Sequence, residues 1–255
     1  MKEQVYKDPR PAEYFAKYHE RARRRDPDWV YDVVRMILTP LCGILFRARC
    51  IASDNVPTGG PAILAPNHFS FMDHFFVAMF LRRRVRFMAK SQLFSGIFKW
   101  ILYHGGAFPV RRGHHDEEAF VTAGEIIGRG RTVVMYCEGG RSRTGKLSDR
   151  ARPGIGRIAL ESGAPVVPIA IYGSQKARNW KRLQFPKVTV QYGPPMAFER
   201  VERPSREQQQ AVADEIFAGI KRLYADLERH GRKGMVQRVR EQRRAERRGG
   251  RTATA

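Results

Sequence analysis

Ala62-Ile63-Leu64-Ala65-Pro66-Asn67-His68-Phe69-Ser70-Phe71-Met72-Asp73 is a strand running into a turn and then into a helix. Ala62 to Ala65 is a short apolar run that Pro66 and Asn67 end. Ser70 to Leu81 has helical composition. The carboxyl end of a strand, just before a helix, is where α/β folds hold their reactive groups. His68 sits in that turn. With Ser70 as helix cap, Asp73 falls in the first turn, from where its carboxylate can reach back to an imidazole. Such a partner fixes the tautomer and favours the imidazolium that forms when His takes a proton. A second reading is open: Ser70-x-x-Asp73 also has the spacing of a capping box, in which Asp73 satisfies helix amides and His68 is an ordinary loop residue.

Outward from this stretch the chain alternates between the two periods. Val85–Ala89, Ala107–Val110, Thr132–Cys137, Val166–Tyr172 and Val188–Tyr192 read as strands. Leu93–Tyr103, Glu117–Gly128, Ile155–Ser162 and Glu207–Glu228 read as helices. Strands separated by helices imply an α/β fold: one domain with a mostly parallel central sheet flanked by helices. The expected divisions are an N-terminal helical segment, 1–50, an α/β domain, 51–228, and a basic, disordered or frayed tail, 229–255.

The 255 residues carry a formal net charge of +22. That balance calls for an anionic partner: nucleic acid, an anionic membrane or a phosphorylated substrate. The tail, with ten basic residues against two Glu, supplies +8 of the charge and leaves +14 to the body. The most apolar run, Met36–Phe46, has 11 residues, whereas a spanning helix needs about 20. It suits a core helix or an interfacial one, as does Leu93–Tyr103. The N-terminus is polar and of mixed charge, unlike a cleavable signal. Cys42, Cys50 and Cys137 fit no disulfide framework and no zinc pattern, and His114-His115 has no metal-site spacing.

Two further strand ends carry candidate residues. Thr132–Cys137 leads into Glu138-Gly139-Gly140-Arg141-Ser142, where glycines permit close backbone approach and Arg141 offers a fork suited to phosphate. Gly106–Val110 ends in Arg111-Arg112. A glycine turn and a basic surface loop are the plain alternatives. Rival enzyme signals are weak. His104-Gly105-Gly106 lacks a Gly-x-Ser-x-Gly partner elsewhere in the chain. Gly140 to Lys146 matches a P-loop spacing, but Leu147 stands where Ser or Thr is needed. The Arg-rich tail fits RNA phosphates as well as anionic lipid, although the body has no aromatic stacking motif.

Taken in order, Asn67-His68-x4-Asp73, Gly106-Ala-Phe-Pro-Val-x-Arg112, Glu138-Gly-x-Arg141-Ser142 and Val167-Pro168-Ile169 resemble the four blocks of the glycerolipid acyltransferase family, which contains the bacterial 1-acylglycerol-3-phosphate acyltransferases. The resemblance implies an enzyme moving a fatty acyl group from acyl-CoA or acyl carrier protein to a phosphate-bearing lysolipid at a membrane surface. It makes His68 the general base and Asp73 its orienting carboxylate. Arg112, Glu138, Gly139, Arg141 and Ser142 would hold the acceptor's phosphate and glycerol. Val167, Pro168 and Ile169 would shape the acyl-binding region. It implies no cofactor and no metal, no nucleic acid, and a peripheral place on the cytoplasmic face of the cell membrane. Gly140 replaces the family's frequent Thr, and Arg111 replaces a frequent acidic residue, which makes the expected pocket more cationic.

Overall fold

A computed structural model describes residues 7–252 apart from 114–115, 143, 178–182 and 184, with side chains to residue 247. The elements run α1 (Glu13–Arg24), α2 (Trp29–Leu45), β1 (Arg49–Ile51), β2 (Ala62–Pro66), α3 (Asp73–Ala78), β3 (Arg86–Lys90), α4 (Phe98–His104), β4 (Phe108–Val110), α5 (Glu117–Gly128), β5 (Thr132–Val134), α6 (Gly154–Ser162), β6 (Val166–Tyr172), β7 (Thr189–Tyr192) and α7 (Arg206–Thr252). Seven strands form one sheet in the order β1-β7-β6-β2-β5-β3-β4. Every neighbouring pair is parallel except β6 with β7.

β2 lies at the centre, Leu64 registering with Val134 of β5 and Val167 of β6. All five of its residues are buried, as expected of a strand covered on both faces. Its alternation sorts the core. Leu64 faces α2 and α3, through Tyr31, Cys42, Phe46, Phe76 and Val77. Ile63 and Ala65 face α5, α6 and α7, through Ile126, Ile155, Ile158, Ile216 and Phe217. Because β2, β5, β3 and β4 run parallel, the chains leaving them emerge at one end of the sheet.

The expected divisions at 50 and 228 fall inside β1 and inside α7. α1 buries Phe15 and Tyr18 against Phe94 and Ala107, so the N-terminal region packs on the same body. The tail is corrected too. α7 breaks at Gly231, which takes a left-handed φ of 62°, and then resumes as helix to 252. Met235, Val236 and Val239 give this second arm an apolar stripe that packs on Ile51, Tyr172 and Tyr224. The guanidinium of Arg232 donates to the carbonyls of Val188 and Arg47 and to Thr189 Oγ1, at 2.7–2.9 Å. Three apolar residues at helical spacing and one arginine on the sheet edge suffice to order what composition alone reads as frayed.

α6 and α7 approach closely at Gly156. A Cβ there would lie 1.9 Å from the Gln209 carbonyl oxygen. Alanine ordinarily gains about 1 kcal/mol over glycine inside a helix, but overpacking costs about 1–3 kcal/mol, and a backbone atom cannot swing aside. Gly156→Ala is therefore expected to lower the thermal midpoint, at roughly 2–4 °C per kcal/mol for a chain of this size. A raised midpoint in calorimetry would contradict the close packing.

Candidate active site

The turn after β2 is held from three sides. Asn67 Oδ1 accepts from Ile171 N at 2.7 Å and its Nδ2 donates to Ile171 O at 3.2 Å, tying the strand end to β6. His68 N donates to Glu138 Oε1 at 3.0 Å, and His68 O accepts from Ser142 N at 2.8 Å. The third anchor is Asp73. Its Oδ2 accepts from His68 Nδ1 at 2.9 Å and from the amides of Phe69 and Ser70 at 2.7 Å each. Ser70 Oγ meanwhile accepts from Met72 N. The helix-capping box does not form, since the α3 cap position is Met72 and the amides that Asp73 holds precede the helix; the carboxylate closes the turn and also grips the imidazole. α3 starts only at Asp73, later than expected, because 70–72 are spent on this turn.

A carboxylate can only accept, so His68 Nδ1 carries the proton and Nε2 keeps its lone pair. His68 is 4% exposed. Burial holds its pKa below the ordinary 6.5; Asp73 opposes that shift, while Arg141 and Arg112 reinforce it. The ring is neutral at pH 7 and its Nε2 is available as a base.

The expected cationic residues converge here. Both arginines act electrostatically on His68 and on His74. Arg112, past the end of β4, lies against the loop after β5: a Cβ on Gly140 would be 3.2 Å from its Nη1. Gly140, where the resembling family often has Thr, leaves room for that guanidinium. Gly139 takes a left-handed φ of 66° beside Arg152, a conformation glycine adopts without strain.

Other expectations are placed differently. Glu138 is an internal brace: Oε1 holds His68 N, and Oε2 accepts from Ser148 N and Oγ. Burial raises its pKa, against those hydrogen bonds. Ser142 Oγ donates to Lys146 O inside its own loop. The Arg111 guanidinium donates to Arg10 O and its amide to Asp116. Val167 and Ile169 lie in the sheet core, and Pro168 backs onto Gly193 and Gly219. No helix directly follows Lys146 of the P-loop spacing, since α6 starts at Gly154. His104 pairs with Asp28 at 2.5 Å. His114 and His115 lie outside the described residues.

Sequence reading missed two features. Tyr136 stacks on His68, ring centroids 3.9 Å apart. A cavity of about 430 Å³ opens between α2, α3 and α4, its walls including Leu38, Phe71, Phe75, Phe87 and Phe98, and it reaches His74. Three helices distant in sequence build it. The apolar runs were the only signal available. Neither run is mere core: Met36, Ile37, Leu41 and Ile44 of α2, with Ile97, Phe98 and Trp100 at α4, are exposed. No helix among the described residues is long and apolar enough to cross a membrane.

Residues 47–172 match the model of the family described as Acyltransferase. Over 127 residues, 48% of this chain, the sequence is 28% identical to the chloroplastic 1-acyl-sn-glycerol-3-phosphate acyltransferase BAT2 of Brassica napus. It is equally similar over the same length to the chloroplastic 1-acyl-sn-glycerol-3-phosphate acyltransferase LPAT1 of Arabidopsis thaliana. The matched segment spans only 36% and 35% of those relatives' own length. The fold is similar to the crystal structure of the 1-acyl-sn-glycerophosphate (LPA) acyltransferase PlsC from Thermotoga maritima. The TM-score is 0.55 at 21% identity, covering 82% of this chain and 88% of that one.

The site's electrostatics lead to a direct measurement. In histidine NMR, His68 is expected to titrate below 6.5. Asp73 Oδ1 makes no hydrogen bond among the described residues, so asparagine can keep its oxygen at the Oδ2 position and remove the charge, with its amide nitrogen at the Oδ1 position. Asp73→Asn should then move the His68 titration lower still, because the carboxylate is the group that raises it. A titration that rises or stays put would break the pairing.

Proposed function

Starting from a chain that belongs to the acyltransferase family, we propose that it transfers a fatty acyl group from a thioester to the free hydroxyl of lysophosphatidic acid or a related phosphate-bearing lysolipid, in phospholipid synthesis. The observation that carries this reading is one juxtaposition. The buried His68–Asp73 pair lies within electrostatic reach of both Arg112 and Arg141. A base for a hydroxyl and a cationic seat for a phosphate are what such an acceptor presents a need for.

On this reading His68 Nε2 removes the hydroxyl proton while that oxygen attacks the thioester carbonyl. The tetrahedral intermediate collapses, the carbon–sulfur bond breaks, and the imidazolium returns its proton to the departing thiolate. No acyl-enzyme and no resident cofactor enter the scheme. The thiol is that of coenzyme A or of acyl carrier protein. The acyl chain is assigned to the apolar cavity between α2, α3 and α4, in place of the Val167–Ile169 region expected earlier. The exposed apolar side chains of α2 and α4, meeting at Trp29 and Trp100, are assigned to a membrane surface, with Arg47, Arg49 and Lys99 exposed nearby for anionic headgroups. A peripheral position on the cytoplasmic face of the cell membrane follows from the same charge.

The test is acyl transfer with acyl-CoA and acyl carrier protein donors against lysophosphatidic acid, glycerol 3-phosphate and other lysolipids. His68→Ala and Asp73→Asn should lower kcat by roughly 10²–10⁴, the range of general-base assistance. Arg112→Ala and Arg141→Ala should chiefly raise KM for the phosphate-bearing acceptor. Near-normal turnover in His68→Ala would sink the assignment. Separately, the full chain should float with vesicles rich in anionic phospholipid and far less with zwitterionic ones. Equal flotation with both, together with tight RNA binding, would favour the nucleic-acid reading of the basic surface.

A further inference from the structure

His68 is covered on one side by a tyrosine. The rings of His68 and Tyr136 lie nearly parallel, with centroids 3.9 Å apart and planes 21° apart. Tyr136 is held from behind. Its hydroxyl is hydrogen-bonded to His74 Nδ1 at 2.5 Å, and His74 stacks on Phe87 at 5.4 Å and 12°. The pieces come from three elements: Tyr136 two residues past β5, His74 beside Asp73 in α3, and Phe87 in β3. β5 ends at Val134, short of the expected strand, and the chain turns there.

General-base action converts His68 to an imidazolium. The groups facing it are few. Asp73 of α3 favours the cation, whereas Arg112 after β4 and Arg141 after β5 oppose it. Glu138 binds the His68 amide. His74 is kept neutral, its pKa pushed well down by burial and then by His68 and the arginines. Burial likewise keeps the Tyr136 phenol protonated. Beside Asp73 and the Glu138 carboxylate, two guanidinium groups therefore oppose the new charge, in a buried site. The face of an aromatic ring carries negative charge density, and a cation within about 6 Å of its centroid is attracted, most strongly when desolvated.

We propose that Tyr136 is a positioning residue for the reaction: the face of its ring stabilises the imidazolium that forms at His68, and His74 fixes the ring in that place. This rests on the reading of His68 as general base.

The test replaces Tyr136 in the full chain with phenylalanine and then with 4-fluoro-, 3,5-difluoro- and 3,4,5-trifluorophenylalanine. Shape is nearly constant along the series while the ring's negative face weakens stepwise. Expected is a graded fall in kcat, on the order of tenfold across the series, with KM for the acceptor unchanged. The His68 titration followed by NMR should fall in step. Tyr136→Leu should lose more, and phenylalanine should restore most of it. A flat kcat and a flat His68 titration along the series would overturn the proposal even where His68→Ala abolishes turnover. Wild-type turnover in His68→Ala would instead overturn the general-base reading beneath it.

Discussion

Asp73 Oδ2 receives three N–H groups at once, from the His68 ring and from the backbone of Phe69 and Ser70. A carboxylate with no solvent exposure needs such hydrogen bonds to stay in the interior, and here all three fall on one of its two oxygens. Each such bond to a charged group contributes about 1.5–3 kcal/mol. The three bonds close a turn that neither strand nor helix would form alone, and they aim the imidazole as a by-product. The β2–α3 connection is thus folded by the same atoms that set up the chemistry. Weakening the carboxylate weakens both, which is why an isosteric change to asparagine is the informative one.

That double role explains how much could be read from the chain. Ser70-x-x-Asp73 has the spacing of a helix capping box, and the structure spends it on the turn before the helix, where Asp73 holds backbone amides and the imidazole together. Val166–Tyr172 and Glu117–Gly128 were legible to the residue. A short run rich in Val and Ile and a clean amphipathic period leave little choice. β1, three residues at Arg49–Ile51, carries no period and owes its existence to pairing with β7. α4 starts five residues late, after Gly96 takes a left-handed φ of 52°. The tail's order depends on a stripe of three apolar residues among arginines.

The candidate site divided along the same line. His68, Asp73, Arg112 and Arg141, singled out by the resemblance and by their places at strand ends, lie together in the structure. Glu138, expected at the acceptor's phosphate and glycerol, has both carboxylate oxygens bonded within the protein. A carboxylate near a phosphate site reads as a ligand contact, whereas this one is consumed by His68 N and Ser148. Tyr136 and the apolar cavity were invisible, since each depends on elements brought together only by the sheet order β2-β5-β3-β4.

The electrostatics of the site contain a tension that the proposed substrate resolves. Arg112 and Arg141 depress the basicity of His68, on top of the larger effect of burial. A base surrounded by cations is a poor base. Under the proposed reading the acceptor brings a phosphate of opposite charge to those two guanidinium groups. Its arrival offsets their field at the imidazole and leaves Asp73 as the dominant charge acting on it. His68 then becomes more basic when an acceptor is seated than when the site is empty. By linkage, the same coupling makes phosphate binding tighter to the enzyme whose histidine is protonated. Water alone, carrying no phosphate, meets the weaker base. That difference would favour transfer to a lipid hydroxyl over hydrolysis of the thioester, with no lid needed to exclude the competing reaction.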